Sequence, residues 1–182
     1  MFLFALVSEI PYNLMMGGEL IGPFHQNVMF TFFIALVFLK LIDKVLAMKN
    51  NYLIKIILIG GICLLSVIVG TLTFVDYSGF GVLTVLVFYI GKKMPKPYIE
   101  IAFQVLSLWM INGVFLGGKV IILPDGFKFP EQAFALLSLI FIWLYNGKKS
   151  LSGTAEQVYK YFSYLFYPVH ILLLSLAALY LP

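Results

Sequence analysis

Three side chains can do proton chemistry where charge is costly: Glu9, Asp76 and His170. Glu9 lies inside the apolar run ALVSEIPYNL, two residues before Pro11, whose ring frees a backbone carbonyl and bends the chain. A carboxyl there needs a partner or stays protonated. Two readings therefore stand: a neutral acid bonded to a neighbouring helix, or a functional carboxyl. Asp76 sits in TFVDYSGFG, where flanking glycines permit a turn. It serves either as a helix cap or as a working carboxylate. His170 follows Tyr167 and Pro168 in YFSYLFYPVHILLL. A neutral imidazole donates one hydrogen bond and accepts another, which suits general acid–base catalysis, although a lone buried histidine is also a common core residue. Asp43, beside Lys40 and Lys44, and Glu100, four residues after Lys96, read as solvated charges at helix ends. His25, in IGPFHQNVMF, follows a Gly22–Pro23 turn or re-entrant loop. No i,i+3 or i,i+4 pair of ligands joins these histidines and carboxylates, so no metal site is expected.

The elements that position these groups are apolar. The chain of 182 residues is 62% hydrophobic and 11% charged, with a mean hydropathy of +1.03. Ordinary globular domains are about 45–50% apolar and about 25% charged. Too few charges are present to cover a water-soluble surface of this size. The expected fold class is all-α: a polytopic integral membrane helix bundle of six to seven segments, residues 1–182 forming one domain. A helix needs about 20 apolar residues to cross the bilayer core. Asn27–Leu46, Tyr52–Phe74, Tyr98–Leu123 and Tyr159–Leu181 qualify. Ser78–Gly91 and Glu131–Tyr145 are shorter, and Met1–Leu14 reads as the tail of a span. Glycine pairs at Gly60–Gly61 and Gly117–Gly118 read as small-residue contacts between helices.

All twelve basic residues are lysine. Ten of them (40, 44, 49, 55, 92, 93, 96, 148, 149 and 160) fall at alternate junctions, and only Lys119 and Lys128 fall at the others. The positive-inside rule then places the N-terminus in the cytoplasm and the C-terminus outside a bacterial cytoplasmic membrane. The bilayer is thus the first expected partner. The net charge of +4 is topological on this reading, and no nucleic acid is expected. The single Cys63 allows no disulfide framework.

Three phrases occur in order: ALVSEIPYNL followed by HQNVMFTFF, then DYSGFGVLTVLVFY, then LYNGKKS followed by YKYFSYLFYPVH. Together they resemble the TraX family of bacterial membrane proteins, whose founding member is needed for N-terminal acetylation of F pilin. The likeness runs from about Ala5 to His170. The family looks related to multi-span membrane acyltransferases. The resemblance therefore implies transfer of acetyl from acetyl-CoA to an extracytoplasmic protein amine, or to a glycan or lipid hydroxyl. The positions that match are Glu9, Asn27, Asp76, Tyr77, Asn146, Tyr167 and His170. In this reading His170 is acid/base or its support, Asp76 orients or binds the acceptor, and Glu9 supports them. Asn27, Tyr77, Asn146 and Tyr167 contact substrate. Lys148 and Lys149 meet CoA phosphates as point charges, or simply carry the positive-inside signal. Family members usually begin with further spans, the first bearing an Asp-His pair, and an early-helix histidine is the expected base of the related enzymes. This chain opens at the later phrase, so a short or truncated form is expected. The alternative is a non-catalytic membrane protein whose helix-packing partner fills the N-terminal gap. A small-solute carrier is the third reading, without the paired broken helices of such folds.

Overall fold

The computed structural model describes residues 1–18, 20–122, 124, 126, 128–145 and 152–180. Helices dominate them, as expected. Helix α1 spans Phe2–Gly17 and runs through Pro11 without breaking. It stops at Gly18, where φ is 71° and the amide bonds back to Leu14 O. The next three helices are α2 (Val28–Ala47), α3 (Tyr52–Leu72) and α4 (Ser78–Lys92). Asn27 and Asn51 start α2 and α3 by accepting the Met29 and Leu53 amides on their side chains. Helix α5 (Pro97–Leu108) opens on proline and continues as a π-helical segment, Trp109–Phe115. A 3₁₀ segment, Glu131–Leu137, leads into α6 (Ser138–Leu144), and α7 spans Thr154–Tyr180.

The expected helix Tyr98–Leu123 ends early. Gly117 and Gly118 take φ of 56° and 76°, conformations that a continuing helix cannot use. An antiparallel pair follows instead, β1 (Val120–Ile122) with β2 (Lys128–Pro130). These glycines thus turn the chain rather than join helices. Nothing lies within 4 Å of a Cβ placed on Gly60 or Gly61 either, so that pair makes no contact between helices within the described residues. The small-residue crossing lies at Gly70 and Gly79, where a Cβ on Gly70 would stand 2.6 Å from the Gly79 Cα.

Around that crossing α2, α3 and α4 pack together on Ala35, Phe38, Ile42, Val75, Val82 and Leu86. Helices α1 and α7 run side by side in the same direction. Phe4 stacks on Tyr164 with ring centroids 4.9 Å apart, and further along Ser175 Oγ donates to Pro11 O at 3.0 Å. Among the described residues two helices, Tyr52–Leu72 and Pro97–Phe115, are long and apolar enough to cross a membrane. Phe2–Met16, Ser78–Lys92 and Glu131–Leu144 are shorter apolar helices. Only 11% of the most apolar stretch of α3 is buried within the protein. Its large exposed apolar face is what hydrocarbon tolerates and water does not.

Of the two acids read as solvated charges, Asp43 is exposed as expected, whereas Glu100 is largely covered. Tyr89 Oη donates to Asp43, pinning α4 to α2. Glu100 pairs with Lys92 rather than Lys96, at 2.7 Å, and its side chain keeps only 18% exposure. It also accepts from Gln104 Nε2 at 3.2 Å, and Trp143 Nε1 donates to Gln104 Oε1 at 2.8 Å. Gln104 is fully buried, so this chain ties α4, α5 and α6 through a group that must be satisfied. Trp143→Phe strands that amide oxygen. The substitution is expected to cost about 1–3 kcal/mol, read as a lower unfolding temperature of the detergent-solubilised protein.

Candidate functional site

Glu9 and Asn13 are one turn apart on α1 and therefore share a face. Asn13 Nδ2 lies 3.5 Å from Glu9 Oε1. The other oxygen, Oε2, accepts Asn27 Nδ2 at 2.5 Å and the Asn27 amide at 3.4 Å. Asn27 Nδ2 also donates to Ala5 O at 2.8 Å, while its Oδ1 caps α2. One fully buried amide thus starts a helix and clamps a carboxyl on another.

The chain entering α2 is stitched to the α3–α4 turn. Gln26 donates its amide to Phe74 O at 2.8 Å, and Gln26 O receives the Asp76 amide at 2.9 Å. Thr31 Oγ1 then donates to Asp76 O at 3.1 Å. Within the turn Phe74, Tyr77 and Ser78 hold φ of 53°, 59° and 56°, left-handed values that are strained for non-glycine residues. Each costs on the order of 1–3 kcal/mol, and such strain gathers at functional sites. Asp76 does not cap α4, whose N-cap position is Tyr77: its Oδ1 accepts the adjacent Tyr77 N–H instead, at 3.0 Å.

Burial raises the Asp76 pKa above the ordinary carboxylate value of 3.8, and the Tyr77 amide offsets part of that rise. The folded protein therefore holds the Asp76 proton more tightly than the unfolded chain does. The resulting stabilisation is complete below pH 3.8 and is lost as pH rises through the folded value. Asp76→Asn keeps an oxygen for the Tyr77 amide but does not titrate. It is expected to flatten this part of the stability–pH curve, measured by denaturation from pH 3.5 upward; an unchanged slope would refute the assignment.

Helix α7 supplies the third component. The Val28 amide, Asp76, Tyr12 and Glu9 all lie within electrostatic reach of the Tyr167 hydroxyl. His170 stands one turn further on, its ring meeting Tyr167 edge-on at 5.7 Å and stacked on Phe166 at 4.8 Å. Its Nδ1 lies 2.9 Å from Phe166 O. A carbonyl oxygen only accepts, so Nδ1 carries the hydrogen and Nε2 is the basic nitrogen. The carbonyl engaged is that of Phe166, not that of Tyr164, which Pro168 leaves without its helical donor.

Glu9, Asn27, Asp76, Tyr77 and Tyr167 thus come together from α1, the α2 start, the α3–α4 turn and α7, with His170 beside Tyr167. Asn146, Lys148 and Lys149 lie outside the described residues. Sequence reasoning passed over Tyr12, Asn13, Thr31, Asn112 and Gln132. Tyr12 is 5% exposed, and Asp76, Glu9 and Tyr77 all act on it electrostatically. Asn13 carried a readable signal, its spacing of four from Glu9. Beyond Tyr77 lies a cavity of about 270 Å³, lined among others by Thr31, Phe32, Thr84, Asn112 and Gln132.

Fold and cluster define a mostly helical, strongly apolar protein with carboxylates, amides, tyrosines and an imidazole gathered where the middles of α1 and α7 meet the start of α2 and the α3–α4 turn. The chain matches the family model described as TraX protein over residues 1–178, and it belongs to that family. No curated protein and no solved structure matches it.

Proposed function

We propose that the protein is a polytopic membrane acetyltransferase, its six to seven segments crossing the cytoplasmic membrane with the Asp76 end outward. Family membership and the two long apolar helices support the membrane placement. The observation that carries the chemistry is the convergence of Glu9, Asn27, Asp76 and Tyr167 next to an imidazole with Nδ1 already occupied. His170 Nε2 takes the proton from an acceptor amine or hydroxyl as that atom attacks the acetyl carbonyl, then returns it to the departing thiolate. The products are an amide or ester and free CoA thiol. Asp76 orients the acceptor, and the Glu9–Asn27 clamp holds α1 and α2 in register around it. Asn146, Tyr77 and Tyr167 complete the substrate contacts.

Acetyl-CoA carries the acetyl group to this reaction. Its phosphates suit the lysine-bearing end, where the acids Asp43 and Glu100 are already engaged by Tyr89 and Lys92. Lys148 and Lys149 meet the phosphates there as point charges.

The test is sided transfer. Proteoliposomes of the full chain, with acetyl-labelled CoA sealed on the lysine side, should deliver label to amine or hydroxyl acceptors outside. Intact protein that moves no label to any acceptor would end the catalytic reading and favour the non-catalytic partner.

A further inference from the structure

The cavity beyond Tyr77 is distinctive in what lines it. Thr31, Tyr77, Thr84, Asn112 and Gln132 face it together with apolar groups such as Phe32, and among the described residues no charged side chain does. Thr31 Oγ1 spends its hydrogen on Asp76 O and Thr84 Oγ1 on Phe80 O, at 3.1 and 2.9 Å. Both hydroxyls therefore offer lone pairs to a ligand. Asn112 Nδ2 gives one hydrogen to Leu108 O at 3.2 Å and retains a second, along with its amide oxygen. The wall thus presents donors and acceptors side by side without charge. That pattern matches hydroxyl groups, which both give and take a hydrogen bond. It offers no cation to a phosphate and no carboxylate to an ammonium group.

Two independent features show that the wall is built. Asn112 lies in the π-helical segment Trp109–Phe115, and π-helical turns occur frequently at functional sites. Tyr77 also lines the cavity, from a left-handed backbone with φ of 59°. The volume, about 270 Å³, falls just under the roughly 300–1,000 Å³ of drug-sized sites, enough for one ring. Phe32 and Tyr77 add aromatic surface for its C–H groups.

We propose that this cavity binds one uncharged, hydroxyl-bearing ring, a sugar unit, presented either as the headgroup of a neutral lipid or free in solution. The inference rests on the membrane placement above but not on acetyl transfer, because binding is read without acetyl-CoA. The full chain would be placed in nanodiscs of phosphatidylcholine, phosphatidylglycerol and monoglucosyl diacylglycerol in equal parts, and retained lipids counted by native mass spectrometry. A parallel arm adds methyl glucoside to nanodiscs of phosphatidylcholine alone. Retention of the glucolipid about tenfold over both phospholipids is expected, as for a few added hydrogen bonds. Binding of methyl glucoside without glucolipid preference would support the same site with a free sugar as its source. Asn112→Leu and Thr84→Val are each expected to reduce the preference about five- to tenfold; should Asn112→Leu fail to fold by circular dichroism, Thr84→Val decides. Equal retention of all three lipids with no methyl glucoside bound, preference for phosphatidylglycerol, or a preference unchanged by the folded variants would overturn the proposal.

Discussion

His170→Ala is expected to lower acetyl transfer about 10²- to 10⁴-fold, the range that a positioned acid–base group contributes. The size follows from the side chain's setting. Phe166 O fixes the tautomer and stacking on the Phe166 ring fixes the plane, so Nε2 is aimed without reorganisation during the reaction. Alanine removes the base, and no other described side chain on α7 next to Tyr167 carries an imidazole. Folding should survive, because the Nδ1 bond is local to one turn of α7 and the ring is only half-buried. Label transfer in the sealed proteoliposomes, together with circular dichroism of the same preparation, makes the comparison. His170→Gln separates catalysis from packing: it retains a polar group for the Phe166 carbonyl but not the basicity. Activity close to wild type in either variant would remove His170 from the mechanism.

The second large effect is structural. Gly79→Ala is expected to destabilise the protein by about 3 kcal/mol, at the upper end of overpacking costs. A Cβ there would run into the Val67 backbone carbonyl, which belongs to the interior of α3 and cannot swing aside as a side-chain tip can. Relief requires α3 and α4 to move apart, which opens the packing around Val82 and shifts the turn holding Asp76 and Tyr77. For a chain of this length the unfolding temperature should fall by roughly 10 °C. Gly60→Ala supplies the contrast. Its Cβ meets nothing within 4 Å, and alanine is the better helix former by about 0.5–1 kcal/mol. Equal shifts for the two variants would mean that the α3–α4 crossing is not where the tight approach lies.

Much of the helical layout was legible because its signals are local. Ser78–Gly91 became α4, ending one residue later, and Tyr52–Phe74 became α3, ending at Leu72. Asn27, taken as the first residue of a span, proved to be the cap just before Val28. The last helix starts at Thr154 rather than Tyr159, since its polar first turn carries no hydropathy signal. Reading only ionisable groups as costly left a gap. A buried amide must also be satisfied, and Asn13, Gln104 and Asn112 each organise part of the interior. Glu100 was misjudged for a related reason. Sequence shows Lys96 beside it along the chain, whereas the group it pairs with, Lys92 across the α4–α5 junction, faces it only after folding.

The amino-acid sequence alone determined that this chain is apolar, helical and a TraX relative, because composition, hydropathy period and ordered phrases are properties of the string. Tertiary structure alone decided that Glu9 meets Asn27 across eighteen residues and that Asp76 O receives the Thr31 hydroxyl across forty-five. It likewise decided that Tyr167 comes beside the Val28 amide, and that a cavity whose described lining carries no charge opens beyond Tyr77. Such pairings depend on helix crossings set by close approach at Gly70 and Gly79 and on turns held in left-handed conformations. Neither leaves a periodic mark in sequence, since each is fixed by the shape of what lies opposite.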